Sequence, residues 1–370
     1  MNDDIEFKEI ALSGGKIEFI KKDEGVSMRF THSNPVPLTC FPANISRDGG
    51  YLIEDTRKLI QIKNNLSFAL HENPIPAYII SDSTGMLGRS CPECESYFRT
   101  DWFGMEDTYC PYCTYHGHKF EFMTRNQLNF LEEYRKAFLE AFKQEGTLAI
   151  DMDEVVNKLS DNKPKWFYVE EKQQLSIKCP ECKTRFDILG IYGKCPKCNK
   201  SNHIDIINSK LDDLQAQFIR ADKTLTDRHI RESEWKKLLS FCVSEFEALA
   251  NYLRKLLMRI PATPKRKSDL ANLGFQNILK ANNCFLNWVG FEILNNIPHE
   301  DRDFMNKMFN RRHLITHKAN VVDQEYLNNT NDSSVKLNQA IRIRSKEIEK
   351  LLYLVKKAAI NLIEGIESMK

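Results

Sequence analysis

Eight of the eleven cysteines fall as four Cys-x-x-Cys pairs: Cys91 and Cys94, Cys110 and Cys113, Cys179 and Cys182, Cys195 and Cys198. In each pair a proline follows the first cysteine, as CPEC, CPYC, CPEC and CPKC, and its fixed backbone angle narrows the loop so that both sulfurs turn toward one point. Two such knuckles together supply the four thiolates of a closed tetrahedral zinc site. The knuckles are separated by 15 residues (95–109) in the first set and 12 residues (183–194) in the second, each enough for a short hairpin that returns one knuckle to the other. The spacing therefore predicts two structural Zn2+ sites per chain. A site saturated by four cysteines has no open ligand position, so catalytic residues are sought elsewhere.

The segments 89–118 and 166–204 that carry these knuckles resemble zinc ribbons. At 370 residues, 42% of them hydrophobic, the chain is long enough for two or three domains with real cores. No apolar run approaches the roughly 18 residues that span a bilayer. The N-terminus, MNDDIEFKEI, starts acidic where a signal peptide starts basic. The expectation is a cytoplasmic protein with no membrane partner, in whose reducing surroundings paired cysteines bind metal rather than each other. Cys40, Cys242 and Cys284 are left over and are expected to be inert.

Residues 1–88 alternate apolar and polar in short bursts, such as Lys16-Ile17-Glu18-Phe19 and Val26-Ser27-Met28-Arg29-Phe30, broken by Gly14-Gly15 and Gly49-Gly50, and so predict a β-rich N-terminal region. Ribbon 1 follows at 89–118, then a helical connector at 119–165 with its helix over 124–143, then ribbon 2 at 166–204. From 205 to 370 the pattern is helical. One apolar stripe runs through Trp235, Leu238, Cys242, Phe246, Leu249, Leu253 and Leu256, and further helices carry Phe275 to Val289, Phe304 to Phe309 and Ile348 to Ile366. These four make an antiparallel bundle. The fold class expected is α+β multidomain: β-rich region, two four-cysteine zinc ribbons and an all-α C-terminal bundle. The net charge of +2 hides an asymmetry, since residues 231–370 carry 23 Lys+Arg against 16 Asp+Glu. A basic helical domain is an electrostatic footprint for a polyanion.

The third bundle helix ends in Asn310-Arg311-Arg312-His313-Leu314-Ile315-Thr316-His317. Arginine is permanently charged and forked for phosphate oxygens, whereas histidine exchanges a proton near neutral pH. RNA carries its own nucleophile, the 2′-hydroxyl, so a cleavage site needs a group to move protons and a cation for the charge that develops on phosphorus. No catalytic metal is needed.

Arg312-His313-Leu314-Ile315-Thr316-His317 resembles the signature of the HEPN ribonuclease domains: an arginine, a polar residue, three variable residues and a histidine. The helical frame over about 225–370 is similar too, with Ala319 standing where related sequences often place glycine. The resemblance implies a HEPN-like homodimer in which two motifs face one cleft. It implies catalysis by Arg312 and His317, with His313 beside them; Arg311 and Lys318 are expected to hold RNA, and the basic run Lys265-Arg266-Lys267 either guides RNA along its backbone or is a solvated loop. It further implies antiviral defence or a toxin-like role, with a possible regulatory protein partner. On a continuous helix Arg312 and His317 lie roughly 140° apart, so they meet only if the arginine wraps around, the helix ends near His317, or a second copy supplies the partner. A two-histidine metal site at His313 and His317 competes, as does a solvated helix end.

Arg342 and Arg344 could flank the cleft, and Asp323 and Tyr326 are expected to fix the loop after the motif. His116 and His118 are alternatives to a cysteine ligand. Tyr97, Phe98, Trp102 and Phe103 could stack on bases, but a small metal domain also needs aromatics to cover its ion. The function expected is a metal-independent endoribonuclease leaving 2′,3′-cyclic phosphate and 5′-hydroxyl ends. The alternative is a non-catalytic adaptor whose ribbons bind nucleic acid or protein and whose bundle only dimerises. Elemental analysis of reduced, purified protein should find about two zinc ions per chain, and Cys91→Ser or Cys179→Ser should unfold the local ribbon while leaving the helical domain folded; one ion or none in wild type removes the paired-site reading.

Overall fold

The computed structural model describes residues 9–11, 15–22, 25–32, 40–45, 51–55, 58–61, 75–82, 84–102, 107–113, 115–143, 146–151 and 168–369. The Gly49-Gly50 break and Phe103 lie outside them. The chain forms two compact units, 1–201 and 202–370. It is mixed in class, with strands in the first unit and helices dominating the second.

In the first unit the period-two alternation is realised in strand β2 (Gly15–Lys22), which buries Ile17 and Phe19 on one face. After β1 (Glu9–Ala11) and β2 come β3 (Gly25–His32), β4 (Cys40–Ile45), β5 (Tyr51–Asp55), β6 (Lys58–Gln61), β7 (Ile75–Ile80), β8 (Leu87–Ser90), β9 (Tyr97–Thr100), β10 (Thr108–Tyr109) and β11 (His116–Gly117). A 3-10 turn at Lys119–Phe122 leads into helix α1 (Arg125–Lys143), followed by β12 (Thr147–Asp151), β13 (Val169–Glu171), β14 (Leu175–Lys178) and β15 (Arg185–Ile188). Helix α1 is not a connector. Phe130, Leu131, Tyr134, Phe138 and Ala141 recur at steps of one to four residues and are buried in one cluster with Ile17, Phe19, Ile75, Ala77 and Ile79. Phe19 meets Tyr134 and Phe138 edge-on at 5.2 and 5.8 Å. The sheet β12-β2-β3 takes its third strand from the far side of α1 in the chain, so α1 and β12 belong to the core of the β region rather than between domains.

The two ribbon segments are not separate either. β8, β9, β14 and β15 form one sheet in the order β14-β15-β9-β8, with Phe186 opposite Thr100 and Asp187 opposite Arg99. Beneath that junction the Arg99 guanidinium is buried between Asp82 and Asp187, and its Nε donates to Asp187 at 2.8 Å.

The second unit holds α2 (His203–Thr224), α3 (Arg228–Leu257), α4 (Pro264–Ala271), α5 (Ile278–Val289), α6 (His299–His317), α7 (Gln324–Thr330) and α8 (Ser345–Glu367). Their boundaries follow ordinary capping chemistry. Asp227 accepts from the amides of His229 and Ile230, Thr263 precedes Pro264 at the first helical position, and Gly290 closes α5 at φ +93°. The four apolar stripes are present, but α2, α3 and α8 pack mutually and α6 joins against α3 and α8, whereas α5 lies on α6. The extra member is the 22-residue α2, whose buried Ile207, Leu211, Leu214, Phe218 and Ala221 give a continuous stripe. The 12-residue α5 is too short to replace it. Among the described residues no helix is long and apolar enough to cross a membrane.

Glu170 on β13 is buried, accepts from the Tyr97 hydroxyl at 2.7 Å and the Gln127 amide at 3.1 Å, and stands where a side chain on Gly88 would sit 1.9 Å away. Burial pushes its carboxyl up to about 7 from an ordinary 4.5, while the two hydrogen bonds oppose the shift. A carboxyl raised on folding favours the folded state fully below about pH 4.5, and that contribution is lost as pH rises to about 7. Glu170→Gln, which keeps the neutral shape, should therefore raise the stability of the first unit above pH 7 by up to about 3 kcal/mol and change it little at pH 4.5, as read by chemical unfolding at the two pH values.

Candidate functional site

Each cysteine set closes on itself. The sulfurs of Cys91 and Cys113 lie 3.7 Å apart, those of Cys94 and Cys110 3.7 Å, Cys179 and Cys198 3.6 Å, and Cys182 and Cys195 3.5 Å. All four sulfurs of each set fall within 4.8 Å of one another. Zinc–sulfur bonds of about 2.3 Å at tetrahedral angles separate the sulfurs by about 3.8 Å, so the donor type and spacing both fit the ion. The described cysteines form no disulfide. The knuckle turn is built by backbone: Glu95, Lys183 and Asn199, each one residue past the second cysteine, adopt φ of 57°, 64° and 59° and return their N–H to the carbonyl of the first cysteine at 2.9–3.0 Å. Amides of Tyr112 and Tyr115 point at the Cys110 and Cys113 sulfurs, both at 3.4 Å.

The surrounding aromatics mostly cover and position. Phe98 is fully buried with Phe122, Phe186 and Ile188 around the cysteines, the Tyr97 hydroxyl is committed to Glu170, and Trp102 lies beneath the Lys197 ammonium at 4.2 Å. His116 stacks on Tyr109, and His118 accepts the Phe120 amide, so neither enters the metal set.

At the end of α6, three successive residues take three directions because each step turns the helix by about 100°. Arg311, expected to hold RNA, points inward. It is 5% exposed, donates to the Tyr326 hydroxyl at 3.1 Å, and pairs with Asp332 at 3.0 Å and Glu347 at 2.9 Å. A guanidinium so committed is withdrawn from the RNA-facing set. Arg312 turns to α3, where it contacts the Ser244 hydroxyl at 3.3 Å and Glu247 at 3.2 Å. Burial raises the Glu247 carboxyl and the nearby Arg312 charge opposes it. His313 and His317 share a face with ring centroids 4.9 Å apart; His317 is exposed, and His313 lines a cavity of about 210 Å³ with Asn310, Lys280 and Asp323.

The helix runs to His317, and the chain then turns through Ala319 and Asn320 at φ +50° and +66°, the left-handed region that favours glycine. Lys318 is exposed and sits 3.5 Å from Asp323. Asp323 caps α7 through the Tyr326 amide, and Tyr326 donates to Asp332 at 2.6 Å, so both hold the loop after the motif. Lys265, Arg266 and Lys267 open α4 and are exposed, the first two facing the Trp288 ring at 5.8 Å. Cys242 is buried, and burial raises its thiol and that of Cys284.

The chain matches no family model, no curated protein and no solved structure. The sequence reading missed Glu247, Asp332 and Glu347, which decide what Arg311 and Arg312 can do. Asp332 had a local signal as a turn former ahead of Ser334, whose amide and hydroxyl it accepts, but nothing local marks its pairing with Arg311. Burial alone would raise the Asp332 carboxyl, yet hydrogen bonds from Ser334, Tyr326 and Arg311 hold it well below the usual range. Arg311→Ala leaves Asp332 with Lys307, Ser334 and Tyr326 but takes a buried donor from Tyr326 and Glu347, and should cost the second unit about 1–3 kcal/mol, seen as a drop in its unfolding midpoint; no measurable loss would mean the pair is no more than a surface salt bridge.

Proposed function

We propose that the protein is an endoribonuclease in which His317 moves the proton of the RNA 2′-hydroxyl or of the leaving oxygen, and Arg312 stabilises the charge on phosphorus. The observation that carries the reading is the reachable imidazole pair of His313 and His317 at the end of α6, beside a permanently charged arginine. Because the nucleophile belongs to RNA, the reaction asks nothing of the two four-cysteine sites, which in this reading take zinc and hold the first unit together. Arg312 and His317 leave α6 on different faces, so the reading places two copies across a two-fold axis, where the same patch meets itself and the arginine of one chain approaches the histidine of the other.

A second reading has a specific observation behind it. The ion pair of Arg312 with Glu247 ties the arginine to its own chain at 3.2 Å, as a purely structural residue would be tied. In that case the protein is an adaptor that dimerises through its helices and binds nucleic acid or protein through its ribbons.

Substitution separates the two. Purified wild-type protein incubated with mixed RNA should yield 2′,3′-cyclic phosphate and 5′-hydroxyl ends with and without EDTA, and should leave DNA intact because DNA lacks the 2′-hydroxyl. Arg312→Ala and His317→Ala should each lower cleavage by about 10² to 10⁴ while light scattering still reports a dimer. Equal cleavage by wild type and His317→Ala removes the catalytic assignment, and a dimer that cleaves no RNA leaves the adaptor.

A further inference from the structure

The face of α6 opposite the histidine pair borders a cavity of about 780 Å³, walled by the start of α3, by α6 and by the chain from 334 to 347. Six cationic side chains line it against two carboxylates, Glu232 and Glu347. Three of the cations are matched. Arg231 pairs with Asp222 at 2.8 Å, Lys307 with Asp332 at 3.4 Å, and Arg311 with Asp332 and Glu347. Glu232 is in turn drawn to Lys236 at 3.3 Å. Arg228, Arg342 and Arg344 remain, exposed and in no ion pair among the described residues.

Uncompensated guanidinium groups around one concavity repel each other and are stabilised by an anion that sits between them. The start of the 23-residue α8 is already capped, since the Glu347 carboxylate accepts the Arg344 amide at 2.8 Å, so the hold on an anion falls to the three guanidinium groups. The floor is the buried Trp235, packed on Phe218 at 5.1 Å, which gives the cavity a rigid apolar base. Its volume lies within the range of small-molecule sites.

From this arrangement we propose that the cavity binds a small anion carrying two or more linked phosphoryl groups, gripped by Arg228, Arg342 and Arg344. Guanidinium forks match phosphoryl oxygens two at a time, and three forks around one space suit an anion with several such edges. The site is separate from the proposed cleavage centre, since Arg311 and His313 point about 200° apart around α6. It stands whether or not the protein cuts RNA.

Isothermal titration of the full chain with sodium tripolyphosphate at near-physiological salt tests it. Wild type should bind one tripolyphosphate per chain, more weakly as salt rises. The double variant Arg342→Ala/Arg344→Ala and the single variant Arg228→Ala should each weaken binding by about tenfold or more, while Lys237→Ala/Lys255→Ala, on exposed cations outside the cavity, should not. A parallel arm uses a short 2′-O-methylated oligoribonucleotide that cannot be cleaved. Absence of tripolyphosphate binding to wild type, or equal binding by the Arg342→Ala/Arg344→Ala protein, overturns the proposal. So does an oligoribonucleotide that binds through these arginines while tripolyphosphate does not, which would assign the cavity to a nucleic-acid strand.

Discussion

A charge taken out of water must be matched where it stands, because the desolvation it suffers is not returned by packing. Both units are arranged around that requirement. In the first, Arg99 is sealed beneath a sheet with Asp82 and Asp187 on either side, and Asp187 also receives the amides of Arg99 and Gln173. This one cluster fixes β9 against β15, and so fixes one cysteine-bearing segment against the other. In the second unit Arg311 does the same among Asp332, Glu347 and Tyr326, tying α6 to the start of α8 and to the loop after the motif.

The motif at the end of α6 shows how the same residue type acquires different work from its direction alone. Arg311 and Arg312 are neighbours in sequence, yet one is spent on an interior network and the other on Glu247 of α3. The histidines, four apart, are left together and reachable. Three cations in no ion pair among the described residues stand around one cavity: Arg228 in the first turn of α3, and Arg342 and Arg344 just ahead of α8. Function in a basic domain is thus decided less by how many arginines it carries than by how many of them its own carboxylates leave unmatched.

Much was legible beforehand. The two four-cysteine sets needed only spacing, since two tight knuckles bring four soft donors to one point. Helices α1, α3, α6 and α8 were visible because an apolar residue every three or four positions is a local property. The partition was not legible: a connector at 119–165, two independent ribbons and a bundle that included α5 all gave way, because which sheet a strand joins and which stripe a helix covers are settled between segments tens of residues apart.

The sequence by itself determined the donor atoms, the helical periods and the charge types at the end of α6, all of which depend on residues a few positions apart. Only the tertiary structure decided which carboxylate each arginine meets. Pairs such as Arg99 with Asp187 and Arg311 with Glu347 are separated by 88 and 36 residues, and no periodicity or motif carries information over that distance. A salt bridge is chosen by the burial that makes an unpaired charge costly, and burial exists only once the chain has folded.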